Sequence, residues 1–208
     1  MKTITIVDYG SGNVLSAQKS FIKIAKDNDI EANVLISKKL NDVKSSTHIV
    51  LPGQGSFSTC MNGLKKTDGL IDELCEFALI KKKPFLGICV GMQMLAKMSE
   101  ERGNHEGLGW IDGKIKQLPG DNLKLPHMGW NMAIPTNTKY NNLISTKDDY
   151  YFVHSYYFDC ADRDNILAET KYGINFASIV GKENIYGVQF HPEKSSSQGL
   201  NIIKNFVS

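Results

Sequence analysis

The chain reads as an α/β protein: a mainly parallel sheet flanked by helices, with antiparallel additions in the second half. In the first half, short apolar runs alternate with stretches whose apolar residues recur every three or four positions, the pattern of successive βα units. After about Leu108 strand-like runs and turns take over. No internal repeat, low-complexity tract or linker interrupts either half, so residues 1–208 are expected to form one domain.

Ile4–Val7 is the first strand, and Val14, Ala17, Phe21 and Ile24 at helical spacing mark the helix that follows it. Ala32–Ile36 and His48–Leu51 are the next two strands. Leu70, Leu74, Phe77 and Ala78 form an amphipathic face, and Pro84 separates that helix from the strand leading to Cys89. Met92–Ala96 then has a helical look. Further strands are expected at Trp110–Ile115, Met128–Ile134, Tyr151–Phe158, Ile166–Thr170, Phe176–Val180 and Ile185–Phe190, and Leu200, Ile203 and Phe206 predict a closing helix.

Composition narrows the function. With 41% hydrophobic and 22% charged residues the chain is an ordinary globular protein, and a net charge of +2 offers no pull towards nucleic acid or an anionic membrane. Lys81–Lys83, the densest basic run, suits the solvated C-terminal end of a helix. No run approaches the eighteen apolar residues of a membrane span, and Asp8 arrives before a signal-peptide core could form. Cys60, Cys75, Cys89 and Cys160 are widely spaced with no CxxC pair, which argues against zinc and against a disulfide framework. Reduced thiols in a cytoplasmic protein, without metal or cofactor, are the expectation.

One of the four thiols is set apart. Cys89 lies in Gly87-Ile88-Cys89-Val90-Gly91, between an apolar strand and a helical segment. Glycines flanking a nucleophile at a strand-to-helix turn are the pattern of a nucleophile elbow, with sulfur in place of oxygen. A following helix would direct its free N–H groups and positive dipole end at the sulfur and favour thiolate. Far downstream, His191-Pro192-Glu193 supplies an imidazole and a carboxylate, completing the parts of a Cys-His-acid site. Pro192 disfavours helix at His191, and in an extended stretch residues two apart share a face. Glu193 would then orient and charge-balance His191, which would shuttle protons. Backbone amides would hold the oxyanion: Val90 N–H by the elbow rule, and the Gly53 region of Pro52-Gly53-Gln54-Gly55.

These motifs resemble the class I glutamine amidotransferases, whose triad is Cys-His-Glu. Asp8–Asn13, Leu51–Phe57, Glu106–Gly109, Pro126–Asn131, Tyr151–Tyr157 and Gly187–Ser195 look, within that family, like the glutaminase subunits of imidazole glycerol phosphate synthase. The resemblance spans nearly the whole chain. It implies hydrolysis of L-glutamine through a thioester on Cys89, with ammonia passed to a (β/α)₈-barrel cyclase partner in a heterodimer of histidine biosynthesis. It also implies glutamine contacts at Gln93 and at the backbone around Gly53, Ser155 and Tyr156. The alternatives are a paralogous glutaminase feeding another synthase, such as a nucleotide-sugar amidotransferase, and a non-catalytic regulatory subunit. Two positions depart from the family pattern: Gln54 replaces a small apolar residue, and Val90 a commoner leucine.

Other candidates read more plainly. Cys75 fits an inert core thiol, and Cys60 and Cys160 lack an activating context. His154 is the rival base but has no acid two residues on, so packing or ligand lining is expected of it. His127 and Met128 either line a partner interface or, for His127, sit satisfied in a loop; His48 and His105 read as structural or exposed. Gly10-Ser11-Gly12 lacks the third glycine of a dinucleotide fingerprint and any Walker lysine, so it reads as a tight βα turn.

Overall fold

A computed structural model describes residues 1–120, 123–136 and 142–208. Its spine is five parallel strands in the order β2-β1-β3-β4-β13: β1 Lys2–Val7, β2 Ala32–Ser37, β3 His48–Gly53, β4 Phe85–Cys89 and β13 Ile185–Val188. These strands read as continuous apolar runs because both faces are covered, as parallel sheets require; β3 and β4 are buried along their whole length.

The helices are α1 Val14–Asp27, α2 Leu40–Ser45, α3 Phe57–Lys65, α4 Leu70–Cys75, α5 Val90–Gln93 and α6 Ser196–Val207. Helix α1 starts where the Asn13 side chain accepts the Ser16 N–H, and it buries Ala17, Phe21, Ile24 and Ala25, close to the face expected from periodicity. Helices α2 and α3 lie in stretches where no helix was expected; Ser56 caps α3 by accepting the Thr59 N–H. The helix expected around Leu70–Ala78 forms in two parts, since α4 passes into a π turn at Glu76–Ile80 before Pro84.

The antiparallel additions are β7 Gly113–Gln117, β8 His127–Pro135, β9 Asp148–His154, β10 Tyr156–Cys160, β11 Ile166–Tyr172 and β12 Ile174–Lys182, with two-residue strands β5 Met98–Ser99 and β6 His105–Glu106. Strand β12 joins them to the spine by pairing antiparallel with β13. Three sequence expectations need correction. Trp110–Asp112 is a turn, because the Trp110 and Ile111 N–H groups both bond back to the Leu95 carbonyl; the strand begins only at Gly113. Tyr151–Phe158 is two strands parted at Ser155: β9 pairs with β8, whereas β10 turns away to pair with β7. The helix after Cys89 is a single turn, too short to direct a substantial dipole at the sulfur.

Candidate active site

The site lies beyond the carboxyl ends of β3 and β4, where open α/β sheets place their ligands. Gly53 and Cys89 are register partners at the ends of these strands. Cys89 has φ 54° and ψ −111°, a strained backbone for a residue with a Cβ, which turns the chain sharply from β4 into α5. Room for that turn comes from its flanking glycines. A Cβ on Gly91 would stand 1.8 Å from the Leu51 carbonyl oxygen, and one on Gly87 would stand 2.5 Å from the Gly91 oxygen. The elbow expected from the glycine frame is therefore present, held by the surrounding backbone rather than by a long helix.

From the other end of the chain, His191 arrives in an extended conformation (φ −98°, ψ 99°), and Pro192–Lys194 then forms a 3₁₀ turn. The stretch is thus only half extended, yet His191 Nδ1 reaches Glu193 Oε1 at 2.9 Å. Both side chains are nearly sealed from solvent, at 7% and 3% exposure. The second carboxylate oxygen, Oε2, has no hydrogen-bond partner among the described residues, so the charge of Glu193 is spent on the imidazole. Burial lowers the pKa of His191, but its hydrogen bonds to Cys89 and Glu193 and their negative charge outweigh burial and push it up to about 10. Both partners of His191, Cys89 and Glu193, therefore favour its protonated form.

A cavity of about 450 Å³ opens over this cluster, lined among others by Gln54, Cys89, Val90, Gln93, Ser155 and His191. Tyr156 lines it too, whereas Gly53 does not; the loop reaches the cavity through Gln54 and Gly55. Glu101, Arg102 and Lys194 supply charge at the same cavity; the first two lie outside every sequence motif, and Lys194 lies in the Gly187–Ser195 stretch with no role expected of it. Gln93 Nε2 donates to the Tyr156 carbonyl and to Gln189 Oε1, each at 3.0 Å. Its two amide hydrogens are therefore committed, and the side-chain oxygen is what Gln93 has left to offer a ligand.

His154 is not the base. Its Nδ1 lies 2.8 Å from the Tyr156 carbonyl, its Nε2 lies 2.9 Å from His127 Nδ1, and burial drives it down to about 3. His127 is neither a loop residue nor exposed: it is buried on β8, stacked on Tyr172 and Phe152, and pushed down by burial to about 4. His48 is buried as well, and desolvation takes it to about 4. All four cysteines are free; burial pushes Cys60, Cys75 and Cys160 up, as inert thiols require. No cluster of metal-ligating side chains and no helix long and apolar enough to cross a membrane occurs among the described residues.

With this geometry in view, the family model for class-I glutamine amidotransferases matches residues 5–208. The chain belongs to that family. It is 47% identical over 208 residues to the imidazole glycerol phosphate synthase subunit HisH of Pelagibacter ubique, covering 99% of each chain. The subunit of the same name from Rhodospirillum rubrum is 43% identical, with 98% of this chain and 97% of that one covered. Among solved structures, one titled as a glutamine amidotransferase superposes with a TM-score of 0.72 over 99% of both chains at 16% identity, a likeness of fold.

Proposed function

We propose that residues 1–208 form one glutaminase domain, the ammonia-producing subunit of an imidazole glycerol phosphate synthase. The observation that carries this reading is the convergence of a strained Cys89 elbow and a buried His191–Glu193 pair, 2.9 Å apart, on one cavity. Whole-length kinship to synthase subunits supports the pathway; the geometry supports the chemistry.

Cys89 Sγ, as thiolate, attacks the side-chain amide carbon of L-glutamine, and the carbonyl oxygen becomes an oxyanion. Val90 N–H and the backbone of the Gly53–Gly55 loop stand at the elbow to receive that charge, a contribution of about 3–4 kcal/mol per donor in comparable sites. His191 gives its proton to the departing nitrogen, ammonia leaves, and a thioester remains. Water then attacks the thioester while His191 takes its proton back, releasing glutamate and thiolate. Glu193 holds the imidazole by Nδ1 so that Nε2 does this work. Gln93, Ser155 and Tyr156 hold the substrate.

Ammonia then passes to a barrel cyclase subunit in a cytoplasmic heterodimer. Met128, Trp130, Met132 and Ile134 support a docked partner, since they alternate along one face of β8 and are 62, 54, 40 and 53% exposed. This face borders the cavity, whose wall includes Leu125, Pro126 and Val153. The test is Cys89→Ala in complex with the cyclase. Glutamine-dependent product formation is expected to vanish while ammonium-dependent formation persists. Loss of both in a folded complex, or glutamine hydrolysis by the variant, refutes the reading.

A further inference from the structure

We propose that Gln189 is the residue that holds the Cys89 sulfur ready for attack, donating its side-chain amide to Sγ. The proposal deepens the glutaminase reading and rests on it for the role of Cys89. Gln189 is fully buried directly after β13, and its backbone is tied by its N–H to the Ser178 carbonyl at 2.9 Å. Its Nε2 lies 3.8 Å from Cys89 Sγ. It stands two residues before His191, while the intervening Phe190 points elsewhere and stacks on Tyr150 at 4.0 Å. One short segment thus brings both a proton carrier and a fixed donor to the sulfur.

What makes the donation directional is a chain of bonds that leaves no choice of orientation. The Tyr156 carbonyl can only accept, so the end of Gln93 that meets it at 3.0 Å must be the amide nitrogen. The second hydrogen of that nitrogen requires an acceptor at 3.0 Å, so Gln189 must present Oε1 to Gln93. Its own NH₂ is then turned to Cys89. Beyond Tyr156 the same logic continues. His154 must carry its proton on Nδ1 to reach the Tyr156 carbonyl, so its Nε2 accepts from His127 Nδ1. Asn131 closes the chain by donating Nδ2 to His127 Nε2 at 3.1 Å. Two neutral histidines and three carboxamides thus meet at the Tyr156 carbonyl, which accepts from His154 on one side and from Gln93 on the other, and the Gln93 branch ends on sulfur.

At 3.8 Å the contact is weak for a neutral thiol, and a charge on sulfur strengthens it, because hydrogen bonds to ions exceed those between neutral groups. A neutral donor therefore favours thiolate without adding a proton that could be lost. Among titratable groups, His191 bonds to the sulfur, and Tyr9 and Cys60 feel its charge. Glu101, Arg102 and Lys194 surround the same cavity.

The experiment follows the rate of Cys89 alkylation by iodoacetamide against pH in the full chain, resolved by peptide from Cys60, Cys75 and Cys160. The substitutions are Gln189→Met, which removes the donor, and Gln189→Glu, which also keeps the acceptor for Gln93. Both are expected to move the alkylation midpoint upward by at least about half a pH unit, roughly a threefold loss of thiolate below the midpoint, with the high-pH plateau retained. A smaller displacement in folded protein overturns the proposal. If both variants fail to fold, the unsubstituted protein decides. The Gln189 side-chain amide resonances should titrate with the Cys89 midpoint and lie flat in Cys89→Ala, and a pair that ignores the thiol's ionisation overturns the proposal. These readouts follow sulfur alone, so a chain that passes them yet leaves glutamine intact in complex with the cyclase overturns the glutaminase reading instead.

Discussion

Gly91→Ala is the sharpest probe of how this site is built. The added Cβ would lie 1.8 Å from the Leu51 carbonyl oxygen, where separations under 3.0 Å are essentially never seen. The two groups must part by more than about 1 Å, a displacement large for a packed interior. Leu51 is fully buried in β3 and paired with Gly87, so the movable partner is the single turn of α5. That turn carries Val90 N–H and follows directly on Cys89, so the sulfur and the Val90 N–H shift together relative to His191. Misplacement on this scale costs on the order of 10²-fold in turnover. Overpacking costs about 1–3 kcal/mol, or roughly 3–10 °C of melting temperature for a chain this long. Glutamine hydrolysis in the cyclase complex and a thermal melt measure the two effects. Gly120→Ala is the control, since its Cβ meets nothing within 4 Å and is expected to change neither. Parental melting and turnover in Gly91→Ala would refute the steric account of the elbow.

Glu193→Gln replaces a buried carboxylate 2.9 Å from His191 Nδ1 with an amide that can donate to that nitrogen, fixing the wrong tautomer. Turnover is expected to fall on the order of 10³–10⁴-fold with the melting curve little changed, and a loss under tenfold would discredit the assigned role. His48, His127 and His154 are held neutral at about 4, 4 and 3, below the ordinary 6.5, so the unfolded chain takes up protons first on acidification. Their contribution, on the order of 1–3 kcal/mol each, is present above about pH 6.5 and lost as pH falls towards 4 and 3. Urea midpoints measured from pH 7 to pH 4 should decline accordingly, and imidazole resonances of His154 titrating near pH 6.5 would contradict this. His191 acts with the opposite sign: raised to about 10, it stabilises fully below about pH 6.5, and that stability fades as pH climbs towards 10. Tyr9→Phe removes the buried bond from Tyr9 Oη to the Pro52 carbonyl at 2.6 Å. A loss of about 1–2 kcal/mol is expected by thermal melt, and an unshifted midpoint would show that the bond does not brace the Pro52–Gly55 loop.

The residues of the candidate triad were legible because they sit in short motifs whose geometry is local. Glycines on both sides of Cys89 announce a turn that only they permit, and a proline between His191 and Glu193 keeps the pair out of a helix. Periodicity likewise found α1 and the strands of the parallel spine, because each buries a face or a run of its own. It failed at α2 and α3, which are only six and nine residues long although Phe57, Cys60, Met61 and Leu64 of α3 do recur at helical spacing, and at Trp110–Asp112, where bonds to the Leu95 carbonyl override strand propensity. Gln189 was read only as part of a motif, and His127 as a loop or interface residue; neither polar side chain signals by its neighbours that it will be buried.

By itself, then, the amino-acid order singled out Cys89 among the four thiols, with His191 and Glu193 as its candidate partners, and predicted the parallel sheet that carries them. Only the tertiary structure decided that β9 and β10 part at Ser155 to form a cavity wall, that α5 is one turn long, and that Gln93 spends its amide on Tyr156 and Gln189. The physical reason is range. Backbone strain and periodicity are properties of adjacent residues, whereas the orientations in a buried hydrogen-bond network are fixed by the Tyr156 carbonyl and the ring nitrogens of His127 and His154, brought together from β10, β8 and β9.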